Sequence, residues 1–223
     1  MMKNEATPLF HGSIGLKCSM DIDKSIYLLP GKGGRLNQGL GEELHARGYN
    51  VFGRETIGEF QKLPFREQIE IVANDLKAGF WHEGAKVIAN SFGAYLFLHA
   101  QTQLAAFPGR VLLLSPIVGE TTNEEHMMFF VPPGARRLQA IVKSGAYPAP
   151  ARCEIHVGEE DWQSNPENVT DMGKLLNFKV SVVPKNGHML DRTYVGGVLN
   201  EWLGSPNTRA WNMFEKNGDV AII

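Results

Sequence analysis

Little in this 223-residue chain is present in excess, and each shortage excludes something. There are 2 cysteines, Cys18 and Cys153, far apart in an otherwise ordinary composition. That is too few for a disulfide framework and reads as reduced thiols in a cytoplasmic protein. Charge of neither sign dominates: 22 Lys and Arg face 24 Asp and Glu, a net charge of −2. No basic stripe invites nucleic acid or an anionic membrane surface. No apolar run approaches the roughly 20 residues that cross a bilayer, so membrane insertion is not expected. The first residues, Met1 to Ser19, lack the apolar centre of a secretory signal. No metal-ligand spacing, internal repeat or low-complexity segment appears, and no metal or organic cofactor is expected.

What is present is 43% hydrophobic residues, enough for one domain with a full core. Strand-like and helix-like stretches alternate. Ser25 to Leu29 is a short buried-strand run ending at Pro30, followed by the turn Gly31-Lys32-Gly33-Gly34 and a helix over 36–47 closed by Gly48. Asn50 to Glu55 reads as a strand. Phe65 to Phe80 reads as an amphipathic helix, with Phe65, Ile69, Val72, Ala73, Leu76 and Phe80 on one stripe. Further strands are expected at 87–89, 110–114, 153–157 and 178–183, and helices at 94–100, 135–143, 166–176 and 193–203. This rhythm predicts an α/β fold, a mostly parallel sheet covered by helices on both faces. Residues 9–18 could hold edge strands. Residues 119–150 break the rhythm, and the tail 204–223 reads as irregular, packing against the domain or a partner subunit.

The stretch Gly84 to Gln101 organises the rest. A buried strand turns through Asn90-Ser91-Phe92-Gly93 into a helix, and a serine at such an apex is held clear of the sheet in a strained conformation. Small residues two before and two after it, Ala89 and Gly93, let strand and helix pass closely. The pattern A-x-S-x-G resembles the G-x-S-x-G nucleophile elbow of the α/β-hydrolase superfamily, with alanine in place of the first glycine.

Three further pieces extend the resemblance over about residues 25–203. His188, in Asn-Gly-His after the last strand, is similar to the superfamily's histidine loop. Asp161, in Gly-x-x-Asp after the preceding strand, is similar to its acid loop, with Glu159 and Glu160 as neighbouring rivals and Glu120 as the acid if it came from the strand before. The order Ser91, Asp161, His188 is the one this superfamily uses. The Gly31–Gly34 turn stands where the superfamily places an oxyanion donor, although Pro30 occupies the usual histidine position. The resemblance implies Lys32 and Phe92 as backbone donors to an oxyanion. It further implies a lid at 119–150, whose Met127, Met128, Phe129 and Phe130 would line an acyl pocket.

The activity so implied is serine-dependent cleavage of a carboxylic ester or related acyl bond in a small-molecule substrate. A thioesterase or acyltransferase of the same fold stays open, as does an inert relative that only binds. Phosphate binding by Gly31–Gly34 ranks last, since the turn matches no nucleotide-binding pattern.

Overall fold

The computed structural model describes residues 22–124 and 127–204. Six strands form one parallel sheet: β1 (Ser25–Leu29), β2 (Asn50–Gly53), β3 (Lys86–Asn90), β4 (Arg110–Leu114), β7 (Arg152–Gly158) and β8 (Lys179–Val183). Their order across the sheet is β2-β1-β3-β4-β7-β8, and every neighbouring pair is parallel. Two short strands, β5 (Thr121–Asn123) and β6 (Met128–Phe130), make a separate antiparallel hairpin. The helices are α1 (Leu40–Ala46), α2 (Gly58–Lys62), α3 (Phe65–Gly79), α4 (Phe92–Gln101), α5 (Ala135–Lys143), α6 (Pro166–Leu176) and α7 (Arg192–Leu203).

Strand alternation sorts side chains to the two faces of the sheet. Ile26 and Leu28 of β1, with Ile88 and Leu112, pack against Leu44 of α1 and Leu199 and Trp202 of α7. Tyr27 and Leu29, with Val87, Ala89, Val111 and Leu113, pack on the opposite side under α3, α4, α5 and α6. All strand positions of β1 are buried, which is why its sequence runs apolar without alternation. Helix α4 is buried from Gly93 to Gln101, as its apolar circumference requires.

Several boundaries differ from expectation by a residue or two, and two of the differences have a visible cause. The first helix begins at Leu40 instead of 36, because the chain folds back so that a Cβ on Gly41 would lie 1.9 Å from the Leu36 carbonyl oxygen. Strand β2 ends at Gly53, where φ is 143° and a Cβ would meet the Leu28 oxygen at 1.9 Å. Arg54 thereby leaves the strand and forms a bidentate pair with Asp75 of α3, at 2.6 and 2.7 Å. The same carboxylate accepts the Tyr27 hydroxyl at 2.8 Å, tying β1 and α3 together. The residues expected as edge strands and as the tail lie outside those described, as does Cys18. Cys153 is a buried free thiol. Among the described residues no helix is long and apolar enough to cross a membrane, and no cluster of three or more His, Cys, Asp or Glu could hold a metal ion.

Candidate active site

Three loops at the carboxyl end of the parallel sheet meet at one point, the edge where such folds hold their ligands. The turn from β3 into α4 places Ser91 at φ 51°, ψ −119°, a conformation that costs of order 1–3 kcal/mol for a residue with a Cβ. Packing over-determines it. A Cβ on Gly93 would lie 2.1 Å from the Leu29 carbonyl oxygen, so the helix can start there only over glycine. Ala89, two residues before Ser91, is fully buried in the core, and its methyl group is accommodated there.

Ser91 Oγ lies 2.7 Å from His188 Nε2, and His188 Nδ1 lies 3.0 Å from both carboxylate oxygens of Asp161. The loop after β8 carries His188 and the loop after β7 carries Asp161. They are zipped together by the Glu160 amide, which donates to the Asn186 carbonyl at 2.8 Å. Asp161 is 1% exposed, and its Oδ1 also accepts the amides of Gln163 and Ser164, each at 3.0 Å. Burial works against the charge on Asp161. The His188 ring and the Ser164 amide outweigh it and hold the carboxyl below its ordinary value. The rival carboxylates are engaged elsewhere: Glu159 accepts the Lys185 amide, and Glu120 pairs with Arg136 at 2.8 Å.

The Gly31–Gly34 turn lies beside the serine, with a Cβ on Gly31 only 3.3 Å from Ser91 Cβ. Three of its four amides are occupied. Gly31 donates to Asn90 Oδ1 at 2.9 Å, Gly33 to the Thr56 carbonyl at 3.1 Å, and Gly34 to the Gly31 carbonyl and to Thr56 Oγ1. Among the described residues neither the Lys32 amide nor the Phe92 amide, first in α4, donates a hydrogen bond. A helix start leaves such donors unsatisfied by its geometry.

Several contributors were not singled out from sequence. Asn90 anchors the glycine turn, Thr56 both donates to and accepts from it, and Ser164 sits beside His188 and Asp161. The Ser164 hydroxyl donates to the Ser115 carbonyl at 2.9 Å and lies 3.4 Å from His188 Nδ1. Asn90, directly before the serine, carried a positional signal; Thr56 and Ser164 are near only through folding. The apolar run is different. Met127 and Phe129 are 87% and 79% exposed and Met128 is also exposed, so these three face solvent on the hairpin, while Phe130 packs against the core. Helix α5, in the same segment, sends Leu138 and Val142 into the core.

No family model matches the chain, and no curated protein matches it in sequence. Solved structures do match it. A monoacylglycerol lipase from Paleococcus ferrophilus superposes with a TM-score of 0.58 at 13% identity, over 80% of this chain and 93% of that one. The ydeN gene product from B. subtilis gives 0.57 at 15% identity, over 82% and 100%. Mouse alpha/beta hydrolase domain-containing protein 10 gives 0.57 at 12% identity, over 87% and 90%. At these identities the likeness is one of fold, and chemistry must be argued from the residues.

Proposed function

The chain has the α/β-hydrolase fold, and from that premise we propose that it is a serine hydrolase cleaving a carboxylic ester or related acyl bond through an acyl-enzyme on Ser91. The observation that carries this reading is the unbroken relay from Ser91 Oγ through His188 to the buried Asp161. Serine is a weak nucleophile until a base takes its proton, and the imidazole is held in the required tautomer when a carboxylate accepts from Nδ1–H.

In this mechanism His188 Nε2 removes the Ser91 proton as Oγ attacks the acyl carbon. The carbonyl oxygen becomes an oxyanion, accepting from the free Lys32 and Phe92 amides. Collapse of the tetrahedral adduct expels the alcohol, which takes the proton back from His188. Water then attacks the acyl-enzyme with His188 again as base, and a carboxylate leaves Ser91 free. Asp161, ionised and desolvated, stabilises the imidazolium in both halves. The proton taken from Ser91 leaves on the alcohol and the one taken from water passes to Ser91, so His188 ends each cycle as it began, with no cofactor called for. We further assign the acyl chain to Met127, Met128, Phe129 and Phe130, the first three of which are exposed.

A fluorophosphonate probe tests the assignment, because it labels a serine activated by a base and an oxyanion site. Wild type is expected to label, and Ser91→Ala and His188→Ala to lose labelling while staying folded. A folded wild type that neither labels nor turns over activated esters would point to an inert relative.

A further inference from the structure

A cavity of about 530 Å3 opens between the start of α3, the end of α4 and the start of α5. His99 and Phe65 form its inner wall, and Arg66, Glu70, Gln103 and Arg137 stand around it. It is separate from the triad. His99 lies two turns beyond Ser91 on α4, about 12 Å along the axis. Tyr95 occupies the turn between them, and its hydroxyl donates to the Pro133 carbonyl at 2.8 Å, closing the gap between α4 and the segment leading into α5.

His99 is the unusual member. It is 5% exposed, with its ring edge-on to Phe65 and Tyr95 at centroid distances of 5.0 and 4.4 Å. Among the described residues Nε2 is shielded from solvent with no hydrogen-bond partner, which leaves Nδ1 as the ring nitrogen that a ligand in the cavity can reach. A ring nitrogen that faces a cavity without a protein partner is open to a hydrogen bond from whatever occupies that cavity. Burial, with the Arg137 charge adding to it, pushes the His99 pKa down to about 4. The ring is therefore neutral near pH 7 and has one N–H to donate. Gly134 borders the same ring, at φ 79°, with a Cβ there only 3.0 Å from His99 Cε1.

The charges around the cavity define what fits. Arg66 pairs with Glu70 at 2.8 Å, whereas Arg137, exposed on α5, makes no ion pair among the described residues. Two guanidinium groups and one carboxylate leave a surplus of a single positive charge. Phe65 and Ile69 supply apolar wall beside it. We propose that this cavity binds a small organic monocarboxylate with an apolar body, its carboxylate held between Arg137 and the His99 ring and its body against Phe65 and Ile69. The proposal does not depend on the chemistry of Ser91. A dianion such as phosphate would be under-neutralised and would find the apolar wall useless; a neutral isostere would leave Arg137 unanswered.

Titration of the full-length protein with benzoate, followed by amide chemical shifts, tests this. Saturable shifts are expected at Gln103, Gly134 and Arg137, unchanged in Ser91→Ala. Arg137→Gln, on an exposed helix face, should weaken binding by about tenfold or more, and Arg136→Gln, one residue away, should not. Benzyl alcohol should bind at least about tenfold more weakly than benzoate. The proposal is overturned if shifts fail to saturate, centre on the Ser91 and His188 loops, are indifferent to Arg137→Gln, or are produced equally well by benzyl alcohol or inorganic phosphate.

Discussion

Gly158, the last residue of β7, lies so close to the His188 loop that a Cβ on it would sit 2.2 Å from the Asn186 carbonyl oxygen and 2.3 Å from that of Gly187. The acid loop and the histidine loop thus touch backbone to backbone at Gly158, three residues before Asp161, as well as through the Glu160 amide. Gly158→Ala must push them apart. We expect turnover of an activated ester to fall by about 100-fold, since a displacement near 1 Å suffices for that. Far-UV dichroism should remain native. Wild-type turnover in the variant would show that the loops yield without moving His188.

Asn90 accepts from the Gly31 amide and so holds the glycine turn beside Ser91, which on the proposed mechanism positions the Lys32 amide. Asn90→Ala is expected to lower kcat by about tenfold or more with little change in KM, because an oxyanion donor acts only once charge develops. An effect confined to KM would remove Lys32 from that role.

Asp161→Asn keeps the side-chain shape but removes the charge that accepts from His188. Losses in kcat of about 10³-fold or more are expected with the fold retained. A pre-steady-state assay on an activated ester should place the loss in acylation and deacylation alike, because the proposed mechanism uses His188 as base in both.

His99 makes the stability of the protein depend on pH. Its folded pKa, about 4, is below the ordinary 6.5, so as pH falls from 6.5 the unfolded chain binds a proton that the folded one refuses. Stability is full above pH 6.5, declines toward pH 4 and levels off below, a contribution of roughly 3 kcal/mol at most. His156, also lowered by burial, slopes the same way. The denaturant midpoint of wild type should fall relative to that of His99→Leu as pH falls from 7 to 4. Parallel curves would show that His99 takes up its proton without unfolding.

Asp75 serves two partners, Arg54 and Tyr27, at a half-buried site. Asp75→Ala leaves a guanidinium and a buried hydroxyl unmatched, and about 1–3 kcal/mol of destabilisation is expected in chemical denaturation. A smaller loss would mean that water replaces the carboxylate.

The sequence by itself determined the alternation of strands and helices, because each element's burial is written in its own periodicity. Residues 26–29 and 111–114 run apolar because both faces of the sheet are covered, and Phe65–Gly79 shows one apolar stripe because one face packs. It also marked Ser91, through the small residues that let β3 and α4 cross. Only the tertiary structure decided what depends on distance between loops remote in sequence. It brought Ser91, Asp161 and His188 within hydrogen-bonding reach and turned Glu120 to Arg136. It consumed three amides of the Gly31–Gly34 turn and left that of Lys32. It exposed Met127 and Phe129 while burying His99 among aromatic rings. Apolar periodicity states that a residue is to be buried or exposed, but a polar side chain's partner is chosen by the packing of whole elements, and that choice has no local signature.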